Sequence, residues 1–377
     1  MSNWSDCKRI LVIRPDNMGD LIMSGPAIKA LKQSFNAHIT VLTSSMAKGI
    51  IKHMPMIDDA IIFDLPWVKT NQQAPKEQIY EVVERLKKGS FDAAVIFTVF
   101  SQNPLPTAML AYMAGIPKIL AYCRENPYGL LTDWIPDKEP YNIIKHQVQR
   151  DLDLVASVGA YINDDKLDLL IKDCGQSMQE KLMITGINLD QPWLLLHAGV
   201  SEPKREYPFN NWVIAAKKII TQLGYQVLLT GAASEKVLTD KLQQRIGEPS
   251  FSVAGLFDLS EFIYLVKQAP CLVSVNTGTI HIAAAVNTPV VVLYAETNPQ
   301  HTPWKVVNKV LPFSVPEEMR SKNEVIAYLN KTIYAHPAGM PAPAQIVCAI
   351  TEIMNAPYSP SQPFHGTLNE NQAFPAS

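Results

Sequence analysis

Asn17-Met18-Gly19-Asp20-Leu21 follows the apolar run Ile10-Leu11-Val12-Ile13 and Arg14, and a helical pattern comes directly after it. A buried strand that turns through a glycine into a helix is the opening unit of a doubly wound α/β domain. The turn lies at the carboxyl end of its strand, where open α/β sheets bind their ligands. The stretch therefore predicts an α/β fold with a ligand site at this turn.

Asp20 stands beside the predicted helix N-terminus, and its carboxylate has two interpretations. A carboxylate at the mouth of a ligand site can accept a proton from a substrate hydroxyl. Asp is also a frequent N-cap residue, and the local pattern alone favours the cap. Gly19 before it permits a backbone conformation that a Cβ would disfavour.

Length and composition narrow the class of protein. The chain has 377 residues, which suggests two domains, and 47% of them are hydrophobic, as in ordinary globular proteins. The net charge is −2 and no basic block is present. Nucleic acid is therefore not expected as a partner.

The cysteines and the N-terminus predict a cytoplasmic protein. The five cysteines are scattered, with no C-x-x-C pair, which argues against a disulfide framework or a zinc site. Reduced thiols fit the cytoplasm. The first residues are polar, and the apolar runs are too short to span a bilayer. A membrane would be met only from its surface.

Strand-like runs alternate with helical segments twice along the chain, which predicts two parallel-sheet domains. The first domain is assigned to residues 1–170 and the second to 190–355, with a polar crossing over 163–192 that holds one amphipathic helix. Residues 356–377 are rich in Pro, Ser, Asn and Gln and are expected to be disordered. Two such domains in series leave a cleft, which is a favoured ligand site.

Three glycine-containing loops of the second half could face this cleft. For Thr230-Gly231-Ala232-Ala233-Ser234-Glu235, a helix cap by Ser234 is favoured over a ligand loop. The other two suggest an anion site. In the loop after Trp193–His197, Gly199 would let the backbone approach an anion, and Lys204 and Arg205 could pair with phosphate. Further along, Asn276-Thr277-Gly278-Thr279 leads from a strand into a helix of small residues. N–H groups and hydroxyls at a helix N-terminus bind anions. A solvated basic loop and a capped helix without ligand are the structural alternatives.

Several common motifs are absent. There is no G-x-G-x-x-G after the first strand, no G-x-x-x-x-G-K-[ST] and no G-x-S-x-G, so a nicotinamide dehydrogenase, a P-loop enzyme and an α/β-hydrolase are disfavoured. No His or Cys cluster has metal-ligand spacing. The Asp151-Leu152-Asp153 pattern falls within a predicted helix and indicates a solvated face rather than a metal site.

Taken in order, these pieces resemble glycosyltransferase family 9, the bacterial heptosyltransferases of lipopolysaccharide core synthesis. The resemblance covers roughly residues 8 to 305. The matching pieces are Ile10–Arg14, Met18-Gly19-Asp20, Gly25-Pro26-Ala27, His197-Ala198-Gly199, Lys204, Tyr207-Pro208, Ser274–Ala285, Pro289 and Leu293-Tyr294.

The resemblance implies a GT-B fold, in which two Rossmann-like domains with parallel sheets face a central cleft. Transfer would be inverting and independent of a bound metal, with Asp20 as the general base. No cofactor is implied beyond the nucleotide-sugar donor, for which ADP-heptose is expected. The acceptor would be a lipid-linked glycan, held by the N-terminal domain on the side of Arg14, Met18 and Gly19.

The resemblance also assigns the donor site to the C-terminal domain. Lys204 would pair with the diphosphate, and Thr277 and Gly278 would cradle it, in the company of Gly199, Asn276 and His281. His281 follows the family motif and is given a supporting role. The chain departs from the family at Asn276 and in the stretch that contains Asn298, where acidic residues are usual. An amide can donate as well as accept a hydrogen bond, so the sugar contacts would differ.

Two other functions remain open at this point. A non-hydrolysing sugar-nucleotide epimerase also uses two such domains, and the amide substitutions would suit a sugar-nucleotide binding protein without turnover.

One segment could contact a membrane. The segment around Lys48, Ile50, Ile51, Lys52 and Met54 mixes basic and apolar residues and could touch the inner membrane, although an ordinary helix with a core stripe is favoured.

Overall fold

The computed structural model describes residues 2–69, 75–355 and 366–367. The chain divides into two compact units. The first contains the chain up to Leu170 together with Asn323–Leu329, and the second contains Ile171–Lys322 and the described residues from Asn330 to Asn355. The return of Asn323–Leu329 to the first unit was not predicted from the sequence. The tail over 356–377 lies outside the described residues, except for Gly366 and Thr367.

In the described part of the first unit, a six-stranded parallel sheet has the order β3-β2-β1-β4-β5-β6. Its strands are β1 (Arg9–Arg14), β2 (His38–Thr43), β3 (Asp59–Ile62), β4 (Ala93–Ile96), β5 (Ile119–Cys123) and β6 (Asp133–Pro136). The short β7 (Ile143–Ile144) pairs outside this sheet. The helices are α1 (Met18–Phe35), α2 (Lys76–Gly89), α3 (Leu105–Met113) and α4 (Gln147–Ala156), with 3₁₀ turns at Lys48–His53 and Tyr128–Leu130.

The described part of the second unit repeats this architecture, with a six-stranded parallel sheet in the order β10-β9-β8-β11-β12-β13. Its strands are β8 (Trp193–His197), β9 (Gln226–Thr230), β10 (Ser250–Ser252), β11 (Leu272–Val275), β12 (Val290–Ala295) and β13 (Asn308–Phe313). Its helices are α5 (Gly175–Met183), α6 (Phe209–Lys218, prolonged by a π turn over Ile219–Leu223), α7 (Lys236–Ile246), α8 (Leu259–Gln268) and α9 (Gly278–Ala285).

The C-terminal part adds α10 (Glu324–Thr332) and α11 (Pro343–Asn355). Short 3₁₀ turns lie at Pro203–Arg205, Ala233–Glu235, Pro299–His301 and Glu317–Met319. The last element, β14 (Gly366–Thr367), pairs antiparallel with β7. Among the described residues, no helix combines the length and the apolar character needed to cross a membrane.

Both sheets have the strand order of a Rossmann fold. In such a fold the order in which successive strands are added to the sheet reverses at one point, the topological switch point. In the first unit the reversal lies between β1 and β4, and in the second between β8 and β11. The central strands are buried on both faces by helices, which explains their unbroken apolar runs. The loops after β1, β4, β8 and β11 are therefore the places where each unit is built to hold a ligand.

The edge strands β6 and β13 were missed in the sequence pattern. β6 ends in Pro136 and β13 contains Pro312, and both strands are only partly buried. Proline is tolerated at the edge of a sheet because an edge strand need not donate every ladder bond. Because these two strands are partly exposed, they lack the long apolar runs that mark the central strands.

Asp151 is buried, so the prediction of a solvated face for Asp151-Leu152-Asp153 was wrong at this position. Helix α4 packs along α1, and the face that carries Gln147 and Asp151 is turned inward. Oδ2 of Asp151 accepts a bond from Oγ of Ser24 at 2.7 Å, and Oδ1 accepts one from Nε2 of Gln147 at 2.7 Å. Asp153, which is half-buried, pairs with Lys145.

The segment Lys48–His53 is a 3₁₀ turn whose apolar residues point largely inward. Ile50 and Met54 are buried, and Ile51 is half-buried. This arrangement agrees with the favoured core stripe and leaves little apolar surface here for a membrane.

A helix was predicted in the crossing between the domains, and α5 is that helix. It is attached to α8 through Glu261, whose carboxylate accepts bonds from Oγ of Ser177 at 2.5 Å and from Nζ of Lys181 at 2.6 Å. Asp258 and Glu261 also cap α8 reciprocally, because each backbone N–H donates to the other's carboxylate. The bonds from Lys181 and Ser177 lower the pKa of Glu261 to about 2.

We expect Glu261→Gln to lower Tm at neutral pH. The folded-state pKa of Glu261 lies below its ordinary value, so its stabilising contribution is present above about pH 4.5 and is lost as the pH falls toward 2. The Tm difference between the two proteins, measured by calorimetry, should narrow from pH 7 to pH 3. Glu84→Gln is the control, since its pair with Lys87 is exposed. An equal difference at both pH values would contradict this account.

Candidate functional site

The turn after β1 is capped by Asn17 and not by Asp20. The side chain of Asn17 accepts a bond from the N–H of Gly19 at 3.1 Å, and Asp20 is the third residue of α1. The N-cap interpretation of Asp20 was therefore wrong. Asp20 is 6% exposed, and its carboxylate lies in the first helical turn, where the helix dipole favours negative charge.

Arg14 ends β1 beneath this turn and has no solvent exposure. Its Nη2 donates to Oδ1 of Asp20 at 3.1 Å. Its Nε lies 3.1 Å from Oδ2 of Asp16, a close ion pair without the alignment of a hydrogen bond. Burial disfavours the charge on Arg14, but Asp16, Asp20 and Asp151 outweigh it, and the pKa of Arg14 is raised.

Asp16 is itself held in place by the neighbouring loops. Its Oδ1 accepts a bond from Nε2 of Gln102 at 2.5 Å, and its backbone oxygen accepts one from Oγ of Ser44 at 2.5 Å. Burial raises the pKa of Asp16 to about 6, against the opposing effect of Arg14. Burial likewise raises the pKa of Asp151 to about 6. The carboxylates of Asp16 and Asp20 therefore pair with one buried guanidinium, and the charge of Asp151, which is bonded to Ser24 and Gln147, also acts on it.

A cavity of about 160 Å³ lies beside this cluster, within the first unit. Gln102, which donates to Asp16, also lines it, and so does Arg124. Nη2 of Arg124 donates to the backbone oxygens of Phe100 and Glu139, and the side chain remains 24% exposed. The lining is polar, and its other residues are Ser101, Asn103, Pro104, Tyr122, Cys123, Glu125, Asp137, Asn323 and Val325.

In the second unit, Lys204 and Arg205 lie on the 3₁₀ turn after β8. Both pair with one carboxylate: Oε2 of Glu202 lies 3.3 Å from Nζ of Lys204 and 3.2 Å from Nη2 of Arg205. Nη1 of Arg205 donates to the backbone oxygen of Asn276 at 2.9 Å. The structure thus brings together the two loops that were predicted to hold the donor, and Arg205 joins them.

The side chain of Asn276 is bonded to the next strand. Its Nδ2 donates to the backbone oxygen of Ala295 at 3.2 Å, and its Oδ1 accepts from the N–H of Ala295 at 3.2 Å. A carboxylate could not make the first of these bonds, because it has no proton to donate. This pair of hydrogen bonds gives a structural reason for an amide at position 276.

Thr277 and Gly278 follow at the start of α9. Oγ1 of Thr277 is buried and has no hydrogen-bond partner among the described residues. The first N–H groups of a helix also lack partners within the helix. Together they form a set of donors of the kind that binds phosphate oxygens.

A second cavity, of about 320 Å³, opens at the carboxyl ends of β8 and β9. Phe257, Phe262, Val253 and Leu259 give it an apolar wall, and His197, Thr230, Gly231, Ala232, Glu235 and Asp258 complete the lining. Burial lowers the pKa of His197, whose Nδ1 lies 3.1 Å from Oγ1 of Thr230.

Glu235 takes its place in this cavity because two glycines leave room for it. A Cβ at position 199 would lie 1.8 Å from Oε1 of Glu235, and one at position 231 would lie 3.0 Å from Oε2. The N–H of Ala232 donates to Oε2 at 2.7 Å. Gly199 is thus needed for close approach, but the group that approaches it in this structure is a carboxylate.

His281 lies on α9 and packs edge-on against His301, with 6.4 Å between ring centroids. His301 in turn contacts the side chain of Asn298, which caps the 3₁₀ turn Pro299–His301. His281 and Asn298 are thus part of one packed group. Met18 and Gly19 are the first two residues of α1, beside Asp20.

Several residues of these sites were not singled out from the sequence: Asp16, Gln102, Arg124, Glu202, Glu235 and Phe257. Glu202 is the one that the sequence could most easily have indicated, since it stands two residues before Lys204 and supplies its counter-charge. Gln102 and Phe257 could be found only by folding, because they lie in loops that follow other strands.

The chain was compared with known proteins. The family model of glycosyltransferase family 9 (heptosyltransferase) matches residues 79–330, which is more than half of the chain. Lipooligosaccharide heptosyltransferase 2 of Haemophilus influenzae is 27% identical over 312 residues, covering 78% of this chain and 85% of that protein. Lipopolysaccharide heptosyltransferase 2 of Escherichia coli is 26% identical over 313 residues, with the same coverage.

Solved structures agree on the fold. A family 9 glycosyl transferase from Veillonella parvula superimposes with a TM-score of 0.74 at 18% identity, covering 94% of this chain and 98% of its own. The ADP-heptose heptosyltransferase II of E. coli gives 0.67 at 21% identity, covering 92% and 98%. The predicted GT-B class, with two Rossmann-like domains, is confirmed, and the epimerase and non-enzymatic alternatives are not favoured. The chain belongs to glycosyltransferase family 9, the heptosyltransferases, and is a glycosyltransferase.

Proposed function

We propose that the protein is an inverting glycosyltransferase that moves a heptosyl group from ADP-heptose to a lipopolysaccharide core or a related envelope glycan. The observation that carries this proposal is the buried Asp20 carboxylate at the switch point of the first sheet, held by Arg14. The names of the relatives, which include an ADP-heptose heptosyltransferase, support the choice of sugar and donor.

Asp20 is the general base in this proposal. The acceptor hydroxyl oxygen attacks the anomeric carbon of the donor while its proton passes to the carboxylate of Asp20. The new glycosidic C–O bond forms as the bond between the sugar and the diphosphate oxygen breaks, and ADP leaves. A single displacement from the opposite face inverts the anomeric centre.

The leaving diphosphate needs positive charge and hydrogen-bond donors. We assign these, without a bound metal or other cofactor, to Lys204, to Oγ1 of Thr277 and to the first N–H groups of α9. Glu202 pairs with both Lys204 and Arg205 but offsets only one of their two positive charges, and a diphosphate would compete with it for these cations.

The 320 Å³ cavity is assigned to the nucleoside of the donor. Its Phe257 and Phe262 side chains offer apolar surface for a base, and Glu235 offers carboxylate oxygens that can accept bonds from ribose hydroxyls. It lies after β8 and β9, as does the Lys204 turn after β8, so base and diphosphate would be held by adjacent loops of one sheet.

The 160 Å³ cavity is assigned to the acceptor. Arg124 gives it a partly exposed cation, and Gln102 connects it to the Asp16–Arg14–Asp20 group. Arg124 is paired there with Asp137, and the side chains of Ser101, Gln102 and Asn103 offer hydrogen-bonding groups for the hydroxyls of an acceptor sugar. A lipid anchor on the acceptor would bring the protein to the cytoplasmic surface of the inner membrane as a peripheral contact.

Asp20→Asn should lower the rate of heptosyl transfer by roughly 10²–10⁴-fold, the range that a general base contributes. The amide retains the shape of the side chain but cannot take up the proton. ADP affinity, measured by calorimetry on the same preparation, should stay unchanged because the variant lies in the first unit. Transfer at the wild-type rate would remove Asp20 as the base.

Lys204→Ala should weaken ADP binding by about 1.5–3 kcal/mol, the worth of a hydrogen bond to a charged group. This corresponds to roughly a ten- to hundredfold rise in Kd. Lys217→Ala is the matched control, since Lys217 is exposed on α6. If both variants bind ADP like the wild type, Lys204 does not contact the diphosphate.

Gly199→Ala should displace the carboxylate of Glu235, because the new Cβ would overlap Oε1. We expect about a tenfold rise in the Kd for ADP, equivalent to one lost charge-assisted hydrogen bond. Gly339→Ala is the control, since a Cβ there meets nothing within 4 Å. Equal ADP affinity in the two variants would show that Glu235 does not take part in nucleotide binding.

A further inference from the structure

The guanidinium of Arg14 presents one edge to two different carboxylates. Nη2 donates to Oδ1 of Asp20, and Nε lies against Oδ2 of Asp16, each at 3.1 Å. Nε and Nη2 form an edge that ordinarily takes a single carboxylate through two parallel bonds. In this protein that edge is divided between two side chains.

The division bears on how strongly Asp20 can attract a proton. An adjacent positive charge favours the ionised form of a carboxylate. Arg14 is fully buried, so water screens its attraction little. A carboxylate that held the whole edge of this guanidinium would be a weaker base than one that shares it.

We propose that Asp16 is a positioning residue, which holds Arg14 so that the guanidinium makes one bond to Asp20 and not two. The proposal rests on the assigned role of Asp20 as the base. Asp16 does not touch the reacting atoms. It acts through Arg14 and sets both the orientation of Asp20 and its readiness to take up the proton of the acceptor hydroxyl.

The surroundings of Asp16 fit a fixed positioning group. Gln102, from the loop after β4, donates to its Oδ1, and Ser44, from the loop after β2, donates to its backbone oxygen. Oγ1 of Thr43 donates to the backbone oxygen of Arg14 at 2.7 Å. Two segments, the end of β2 with its following loop and the loop after β4, thus hold Asp16 and Arg14 in position. Gln102 also lines the cavity assigned to the acceptor.

The titration of Asp16 gives the proposal a signature. The charged groups that face Arg14 are Asp16, Asp20 and Asp151. Burial raises the pKa of Asp16 to about 6. As the pH falls through this value, Asp16 takes up a proton, loses its attraction for Nε, and leaves Arg14 to turn toward Asp20. The rate of transfer should therefore fall as the pH drops through about 6.

The test compares wild type, Asp16→Asn and Asp16→Ala in transfer from ADP-heptose between pH 5 and 8. At pH 7.5 we expect kcat to fall roughly 10- to 100-fold, within the range that a general base supplies, and more in the Ala variant than in the Asn variant. KM for the donor and Kd for ADP should not change. The decrease near pH 6 should be absent from both variants. Tm identifies a variant that fails to fold, in which case Asp16→Asn decides.

Asp151→Asn is the matched control. Asp151 also has a pKa raised to about 6 by burial, but it bonds to Ser24 and Gln147 and lies on α4. This variant should keep the decrease in rate near pH 6. If the decrease in rate near pH 6 is lost in Asp151→Asn and retained in Asp16→Asn, the titrating group is Asp151, and the proposal is overturned.

Two further results would overturn it. One is an Asp16→Asn enzyme with wild-type kcat and an unaltered pH profile. The other, independent of activity, is a crystal structure of that variant in which Arg14 keeps its single bond to Asp20. Absence of transfer by the wild type would instead contradict the proposed function, and the wild-type arm of the assay separates that failure from a failure of the role of Asp16.

Discussion

A positive charge buried at the end of the first strand determines the arrangement of the first unit's site. Arg14 has no solvent exposure, and an unpaired charge in such a place costs several kcal/mol. Asp16 and Asp20 are therefore drawn to one guanidinium from the turn that follows it. The cap supplied by Asn17 leaves Asp20 inside the first helical turn, facing that charge. The contacts that offset the charge of Arg14 thus also hold in place the carboxylate that we propose as the proton acceptor.

The second unit has the same strand order, and we propose that its loops bind an anionic ligand. Here the cations Lys204 and Arg205 lie on a loop and share the carboxylate of Glu202, which a stronger anion could replace. Gly199 and Gly231 make room for Glu235 beside an apolar wall. The side-chain amide of Asn276, just after β11, donates through its nitrogen and accepts through its oxygen at Ala295, the last residue of β12, and so holds the start of α9. A carboxylate at this position could accept only the bond from the N–H of Ala295.

The two-domain α/β fold could be predicted because central parallel strands are buried on both faces and appear as apolar runs. The edge strands β6 and β13 lack such runs, and they were missed. The glycine turns located the loops after β1, β8 and β11, and with them Asp20, Lys204 and Thr277. The side chains that hold the site residues in place, on distant parts of the chain, could not be predicted. Asp16 depends on Gln102, and Gly199 on Glu235, across strands that only folding makes adjacent. The burial of Asp151 could not be predicted, because it depends on the packing of α4 against α1.

Calorimetric titration of the purified protein with ADP, UDP and GDP examines the proposed donor site without requiring the acceptor. We expect ADP to bind most tightly, through the cavity beside Glu235 and the donors at the start of α9. Tighter binding of UDP or GDP would contradict ADP-heptose as the donor while retaining the fold. No binding of any of the three nucleotides would contradict the assignment of the second unit as the donor site.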